Sequence, residues 1–432
     1  MKILVLGQGA REHAIIKSLI RTGTPAANIF AAPGNAGIAE DAQTFATLDP
    51  NSPTDVTAFA KEHGIDLVVI GPEAPLVAGV SDALRAEGIA VFGPSQKAAQ
   101  LEGSKSFAKE VMAAADVPTG MARECRTIDE VASALDDLGA PYVVKADGLA
   151  AGKGVIVTDD REAALDHARK FIDMGILVEE FLDGQEVSLF FLSDGVSVQA
   201  LTPAQDYKRA YDGDAGPNTG GMGAYSPLPW LPEGFVEEVE RTVAMPTILE
   251  MARLGAPFVG LLYCGLIITK RGIRVIEFNA RFGDPETQVV LRRLVTPLAE
   301  LLHKAAIGQL QGAPVARFAK DVAITVVLAS EGYPDSSAPN RPITGLTEAE
   351  SNEHIEIAHA ATRLEGDELM ATGGRVLSVI SMAETFHHAR EHAYKAIEKI
   401  HLKGSHYRKD IAKKVADADN DGKPGNDSEG NN

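Results

Sequence analysis

The chain has 432 residues, 45% of them apolar and 23% charged, and a formal net charge of −19. That length exceeds what one hydrophobic core sustains, so about three domains are expected. The acidic balance argues against non-specific binding to nucleic acid or to an anionic membrane. No run approaches the roughly 18–20 unbroken apolar residues of a membrane helix, and two cysteines, Cys125 and Cys264, are too few for a disulfide framework or a zinc cluster.

The opening apolar run at 3–6 is cut by Gly7 and Gly9, so it reads as a strand rather than a secretory leader. A reducing cytoplasm is the expected compartment. Strand and helix patterns then alternate: KILVLG at 2–7, a helix at 11–21 with Ala14, Ile15 and Leu19 inward, NIFAAP at 28–33, a helix at 56–63, DLVVIGP at 66–72, a helix at 80–87 and IAVFGP at 89–94. This alternation predicts a doubly wound parallel sheet, with ligands beyond the carboxyl ends of its strands, at 7–12, 33–37 and 71–76. GQGAREH at 7–13 is a strand-to-helix turn that aims backbone N–H groups and a helix dipole at an anion. Its third G-x-G-x-x-G position is Glu12, which disfavours a dinucleotide and leaves a phosphate monoester beside Arg11; a plain tight turn is the alternative.

After a helix at 101–115 the pattern changes. YVVKADGLAAGKGVIV at 142–157 reads as strand, glycine-containing loop, strand. Lys145 ends a buried strand, where lysine belongs when it meets an anion. Lys153 lies among Gly148, Gly152 and Gly154 in a loop suited to close over phosphates. G-x-x-x-x-G-K-[ST] is missing, so this is no P-loop, and alone it is equally a solvated hairpin turn. A helix at 162–171 precedes ILVEEFLDGQEVSLFFL at 176–192, read as strand, turn, strand in a sheet with helices on one side. Glu179 and Glu180 end the first strand, Phe181 and Leu182 offer a purine an apolar face, and Glu186 suits ribose hydroxyls; an exposed acidic hairpin is the alternative.

DGDAGPNTGGMG at 212–223 lets backbone approach a small ligand, with Asp214 a candidate partner for an ammonium group; a flexible loop without function is the alternative. A helix near 233–254 and a hairpin at 258–279 follow. The hairpin runs into VIEFNARFGDPETQVVL at 275–291, which sets Glu277, Asn279, Arg281, Asp284 and Glu286 at the end of a buried strand. Glu277 and Asn279 share a strand face. Two oxygen ligands suit Mg2+, which takes few protein ligands beside phosphate oxygens, and Arg281 reaches toward a phosphate. A structural ion-pair network explains one Arg–Glu pair but not the whole set. From Asp321 a β-rich segment begins with VAITVVLAS, continues with a strand at 376–381 and closes on a helix at 386–400, where His387 and His388 read as a solvated face. Residues after about 417 carry almost no apolar side chain and are expected to be disordered. Asp417-x-Asp419-x-Asp421 resembles half a calcium loop, but its twelfth position is Ser428 and Pro424 interrupts it.

In this order, MKILVLGQGAREHAI, IGPEAPLVAG, GPSQKAAQLEGSKSFAK, VVKADGLAAGKGV, QDYKRAYDGDAGPNTGGMGAYSP and EFNARFGDPETQ resemble the signatures of the glycinamide ribonucleotide synthetase family of ATP-grasp ligases, over 1–414. The resemblance implies an α/β and α+β multidomain protein. An N-terminal doubly wound parallel sheet at 1–102 would take phosphoribosylamine. A central ATP-grasp fold would occupy 103–318, with 119–190 as a smaller lid-like subdomain. A small β-rich C-terminal domain would occupy 319–414; the acidic tail at 415–432, expected from its composition to be disordered, lies outside the family pattern and is assigned no role. The implied activity joins glycine to 5-phosphoribosylamine through glycyl phosphate, with ATP and Mg2+ or Mn2+, giving glycinamide ribonucleotide, ADP and phosphate in purine biosynthesis. A cytoplasmic monomer acting on small molecules, without nucleic acid or membrane, is expected.

In that family's terms Lys105 and Lys145 would contact ATP phosphates, Glu179, Glu180, Phe181 and Leu182 the adenine, and Glu186 the ribose. Glu277 and Asn279 would hold the metal. Gly9, Arg11, Asn35 and Glu73 would face phosphoribosylamine, and Asp214, Arg281 and Asp284 glycine and the acyl phosphate. Many ATP-grasp enzymes add a carboxylate from the preceding strand; YCGLII at 263–268 has none, which leaves more of the coordination to water and phosphate. Three other readings stand beside this one: an ATP-grasp carboxylase of an imidazole nucleotide, which the 212–223 loop counts against; an NAD dehydrogenase, which Glu12 counts against; and a non-catalytic nucleotide sensor.

Overall fold

The structure, a computed structural model, describes residues 1–148, 154–338 and 340–421. Ile3–Gly7 is buried along its whole length at the centre of a five-stranded sheet. The order is Gln43–Thr44, Ile29–Pro33, Ile3–Gly7, Leu67–Ile70, Ala90–Phe92, and every pairing is parallel. The strands are continuous apolar runs because helices cover both faces. Strand order reverses between Ile3–Gly7 and Leu67–Ile70, so the crevice opens beyond Gly7 and Gly71.

A second sheet is antiparallel, in the order Ala122–Cys125, Ile176–Glu179, Tyr142–Ala146, Val155–Thr158. Helices Ile128–Leu138 and Arg161–Phe171 bury Val131, Leu135 and Leu165 with Val144 and Val178 in a core of their own. A third sheet runs Val198–Ala200, Gln185–Asp194, Val259–Thr269, Gly272–Asn279. Ile176–Glu179 and Gln185–Asp194 therefore belong to different sheets. This corrects the single sheet expected at 176–192 and ends the small subdomain near Glu179 rather than at 190. The segment 180–184 makes no ladder, so it crosses between sheets instead of turning within one.

The hairpin of Val259–Thr269 with Gly272–Asn279 contains a bulge. Gly265 pairs with Glu277 and Leu266 with Val275, which leaves Ile276 as an extra residue. Side-chain parity inverts there: Ile273 and Val275 enter the core before the bulge, and Phe278 and Ala280 enter it after. Glu277 and Asn279 consequently face away from the apolar core. The helix near 233–254 forms as Phe235–Val239, a wider π turn at Glu240–Ala244 and Met245–Arg253; the wide turn comes just before Pro246, which has no N–H to give an α ladder.

The fourth sheet runs Gln205–Asp206, Gly223–Ser226, Val322–Ala329, Arg375–Ala383, Ile355–His359. Two of its strands precede 318, so the boundary expected at 318/319 divides the chain but not the sheet. Helix Phe386–Ile397 buries Phe386, Ala389 and Ala393 in the core it shares with that sheet. Lys413–Asp421 is helical, which corrects the disorder expected from 415. Val415 and Ala416 are buried beside Ile411 and Ala412, and Asp419 Oδ2 accepts the Phe386 N–H at 3.1 Å, a carboxylate at a helix N-terminus. Most of the half calcium loop, from 422 onward, lies outside the described residues. Among the described residues no helix is long and apolar enough to cross a membrane.

Candidate active site

The carboxyl end of Tyr142–Ala146 meets the bulge of Gly272–Asn279. Lys145 is 5% exposed; its Nζ donates to the Ile276 carbonyl at 3.5 Å and lies 3.1 Å from Glu179 Oε2. Lys109 shares that carboxylate at 3.3 Å and bonds Thr119 Oγ1 at 2.9 Å. Lys105 begins helix Lys105–Ala114; its N–H donates to Asp147 Oδ1 at 2.6 Å and its Nζ to the Gly148 carbonyl at 3.0 Å. The start of the glycine-containing loop is thus fixed to a helix N-terminus. Lys153, farther along that loop, lies outside the described residues.

Glu277 sits at the focus of this region. Burial pushes its carboxyl up, yet Lys208, Lys145, Lys105 and Arg281 outweigh burial and hold it below the usual range. Burial lowers Lys105, with Glu277 opposing. Lys208 Nζ lies 2.8 Å from Glu186 Oε2; burial works against its charge, but Asp206, Glu186 and Glu277 raise it well above an ordinary lysine. Burial pushes Asp206 up to about 7 despite Lys208.

At the crossing segment the Glu180 N–H donates to the Met121 carbonyl at 2.9 Å, and its carboxylate pairs with Arg271. Phe181 is exposed and Leu182 partly so. Glu179 turns its carboxylate inward to the lysines, so only its backbone belongs to this edge.

The N-terminal turn holds its own carboxylate. Glu12 is buried; Oε2 accepts the Gly9 N–H at 2.6 Å and Oε1 accepts from Arg11 Nε at 2.5 Å. A Cβ at Gly71 would stand 2.1 Å from Glu12 Oε1, so the carboxylate needs glycine there. Arg11 Nη1 reaches the Phe282 carbonyl at 3.2 Å, which ties this turn to the segment after Asn279. Asn35 gives its amide to the carbonyls of Gln8 at 2.8 Å and His359 at 2.7 Å, and its Oδ1 accepts the Ile38 N–H at 2.9 Å. It is a seam between the N- and C-terminal regions.

Beside this turn Arg281 Nη2 lies 2.8 Å from Glu102 Oε1 and its Nε 3.8 Å from Glu73 Oε2. Glu102 Oε2 also accepts the Ala280 N–H at 2.8 Å. Burial raises Glu102 even with Arg281 beside it, while Arg281 is held above the usual arginine range by Glu102 and Glu73 against burial. Asp284 Oδ2 lies 3.2 Å from Arg375 Nη2 and Oδ1 accepts from Gln288 Nε2 at 2.8 Å. Burial raises Asp284, but Arg375, Arg11, Gln288 and Arg281 bring it below the usual carboxylate range. Glu286, nearby, accepts from Tyr263 Oη at 2.5 Å and from Ser188 Oγ at 3.0 Å.

Lys105, Lys145, Glu179, Glu186 and Glu277 therefore converge on one end, with Asn279 on the same strand face as Glu277. Gly9, Arg11, Glu73, Arg281 and Asp284 converge on the other. Asp214 joins neither group: its largely exposed carboxylate pairs with Arg408 Nη1 at 2.8 Å. Glu12 is present here as a ligand of the turn rather than a spoiled glycine, and Lys109, Glu102, Lys208 and Arg375 join residues that residue type alone did not single out. Lys208 was within reach, inside QDYKRAYDGDAGP; Arg375 and Glu102 carry no local signal. His388 and His392 stand four apart on Phe386–Ile397, but His392 stacks on His354 at 4.6 Å.

Among the described residues no group of three or more His, Cys, Asp or Glu is arranged to hold a metal ion alone. One carboxylate and one amide on a strand face, ringed by lysines, fit an ion that shares its coordination with phosphate oxygens and water.

Three family models match the chain: the N domain of phosphoribosylglycinamide synthetase over 1–102, its ATP-grasp (A) domain over 103–287 and its C domain over 323–414. The chain is 64% identical over 417 residues to the phosphoribosylamine–glycine ligase of Leifsonia xyli, covering 95% of this chain and 99% of the relative. It is 57% identical over 420 residues to that of Streptomyces coelicolor, covering 97% and 100%. The crystal structure of phosphoribosylamine–glycine ligase from Thermotoga maritima aligns with a TM-score of 0.83 at 30% identity, covering 95% of this chain and 100% of that one. The biotin carboxylase domain of Hydrogenobacter thermophilus 2-oxoglutarate carboxylase, solved with MgADP and bicarbonate, aligns at 0.68 with 17% identity over 94% and 91%, a likeness of fold alone.

Proposed function

The chain belongs to the phosphoribosylglycinamide synthetase family, and from that premise we propose how its residues divide the work of the ligase. The enzyme joins glycine to 5-phosphoribosylamine at the expense of ATP, giving glycinamide ribonucleotide in purine biosynthesis. The observation that carries the assignment is the pair of buried lysines, Lys145 and Lys109, gathered on Glu179 beside the bulge that presents Glu277, with Lys145 reaching the Ile276 carbonyl.

A carboxylate is a poor electrophile toward an amine at neutral pH. A glycine oxygen therefore takes the terminal phosphoryl group of ATP, and ADP leaves. Negative charge spreads over the transferring oxygens, and Lys105, Lys145 and Lys208 stabilise it without reorganising. A divalent ion, Mg2+ or Mn2+, held by Glu277 and Asn279 with phosphate oxygens, supplies further charge neutralisation when bound. The lone pair of phosphoribosylamine then attacks the glycyl carbon, and phosphate departs with the electron pair of the C–O bond. Adenine packs against Phe181 and Leu182 and bonds backbone at 179–182, with Glu180 fixing that edge through Arg271. Glu186 serves the ribose once it shares Lys208 with the nucleotide.

At the other end Asp284, held ionised, suits the glycine ammonium, and Arg281 suits the acyl phosphate. Gly9 and Asn35 have their hydrogen bonds filled, so Arg11 and Glu73 remain to meet phosphoribosylamine, Arg11 through its phosphate. Asp214 acts through the loop it anchors rather than on the reacting atoms. Lys153 completes the phosphate loop. The proposed state is a monomer acting on small-molecule substrates. Two buried free thiols and the net charge of −19 support a cytoplasmic enzyme without nucleic acid or membrane partners.

The test is ADP release with glycine and freshly made phosphoribosylamine, each omitted in turn. Sustained release is expected only when both are present; equal release with bicarbonate in place of glycine would sink the reading.

A further inference from the structure

We infer that Arg375 is a positioning residue for this reaction: from the C-terminal sheet, it locks the glycine-rich loop at 212–223 onto Asp284. The inference rests on the reading of Asp284 as the group that meets glycine.

The peptide of Gly220 is held on both sides by the C-terminal part of the chain. Its N–H donates to Tyr333 Oη at 3.0 Å, and its carbonyl accepts from Arg375 Nη1 at 2.6 Å. The same Nη1 donates to the Asp284 backbone carbonyl at 3.0 Å, while Nη2 stands 3.2 Å from Asp284 Oδ2. One guanidinium thus joins loop, site and C-terminal sheet. A lysine ammonium, a point charge on a flexible stem, lacks the planar fork for this. At its contact with Arg375 the loop seats tightly: a Cβ at Gly220 would lie 3.0 Å from Arg375 Cζ, and one at Gly221, whose φ is +110°, would lie 2.3 Å from Pro285 Cδ.

The strand carrying Arg375 also steadies the second oxygen of Asp284. Gln288 donates to Asp284 Oδ1 at 2.8 Å and contacts Ser378 Oγ at 3.3 Å, three residues along from Arg375. The carboxylate is therefore oriented from two directions by one strand, directly and through Gln288. The far end of the loop has its own catch. The Lys409 N–H donates to Asp212 Oδ1 at 2.7 Å, the Gly213 N–H to Asp410 Oδ2 at 2.9 Å, and Arg408 pairs with Asp214 at 2.8 Å. That catch does not reach Asp284, so it anchors the loop without the link to the site.

The experiment compares the full-length enzyme with R375Q, R375K, Y333F and D284N. ADP release gives kcat and KM for glycine, calorimetry with a non-hydrolysable ATP analogue gives nucleotide affinity, and limited proteolysis reports the loop. For R375Q, kcat is expected to fall about tenfold to a hundredfold and the KM for glycine to rise, with nucleotide affinity within about twofold. R375K should recover part of kcat. Y333F should show the smaller loss, and both R375Q and Y333F should be cut faster at 212–223. An impaired D284N beside a wild-type R375Q overturns the inference and spares the role of Asp284. A wild-type D284N overturns that role and the inference with it. Where R375Q fails to fold, Y333F decides: reduced kcat with normal nucleotide affinity supports the inference, and wild-type kcat overturns it.

Discussion

The two ends of the site hold charge in opposite ways. Around Glu277 the lysines are incompletely matched: Lys145 and Lys109 share the one carboxylate of Glu179, and Lys105 meets a carbonyl. Around Asp284 each arginine has a carboxylate of its own, Arg11 with Glu12, Arg281 with Glu102 and Arg375 with Asp284. In the proposed assignment the first end receives an anion that arrives with its own cation. The second is arranged to hold positions, its charges already balanced by the protein. A cation at the first end should therefore act on the chemistry, and one at the second on geometry.

The most severe break in that contrast is at the lysine end. K145A or E277A should lower turnover at least about a hundredfold, measured as ADP release, because charge stabilisation of the transferring group is lost. Near-normal turnover in either variant would remove the distinction between the ends. Next, E102Q should lower kcat about thirtyfold by loosening Arg281 while nucleotide affinity stays within about twofold, since misplacing an oriented group costs rate more than binding. A large loss of ATP affinity in E102Q would mean the two ends are one electrostatic unit.

The balanced end also extends into a pH-sensitive seam. His13 is lowered by burial, and His359, lowered by burial and then by His13 and Lys17, falls to about 3. Asp41 Oδ2 lies 3.0 Å from His13 Nε2, and the His359 N–H donates to His13 Nδ1 at 2.8 Å. Folding disfavours the protonated form of both rings and keeps His359 neutral until about pH 3, whereas the unfolded chain binds protons below the ordinary value of 6.5. Stability is therefore lost as pH falls from that value toward 3. The unfolding temperature should decline across that window and H359N should flatten the decline; a parallel decline in H359N would assign it elsewhere. The smallest expected effect is at the nucleotide edge. F181A should raise the KM for ATP about fivefold, about 1 kcal/mol, with kcat unchanged, because an exposed ring contributes binding but no charge.

The lysine end was the more legible in sequence, and the physical reason is local. A lysine ending a buried strand, and a carboxylate and amide two apart, announce a ligand by residue type and spacing. The alternating strands and helices of the first hundred residues were legible for the same reason, since periodicity is a short-range property. Glu102 meets Arg281 across 179 positions and Arg375 meets Asp284 across 91, so no window of sequence contains either pair. Glu12 looked like a departure from a glycine motif because the motif describes a bound phosphate, not a carboxylate supplied by the chain. The crossing at 180–184 looked like a turn because a strand end gives no sign of which sheet the next strand joins. The helix at Lys413–Asp421 was hidden by its few apolar residues, although Ile411 and Val415 are four apart and buried.

The extra residue at Ile276 leaves a peptide outside the ladder, and its carbonyl is the one that Lys145 reaches. Deleting that one position would mend the ladder with Val259–Thr269 and leave Glu277, Phe278, Asn279 and Ala280 on the faces they already occupy, because Leu266–Val275 and Gly265–Glu277 would become consecutive pairs. Swapping Ile276 for another aliphatic would keep both the bulge and that carbonyl. Loss of the bulge would thus spare the facing of this edge and cost Lys145 its carbonyl partner.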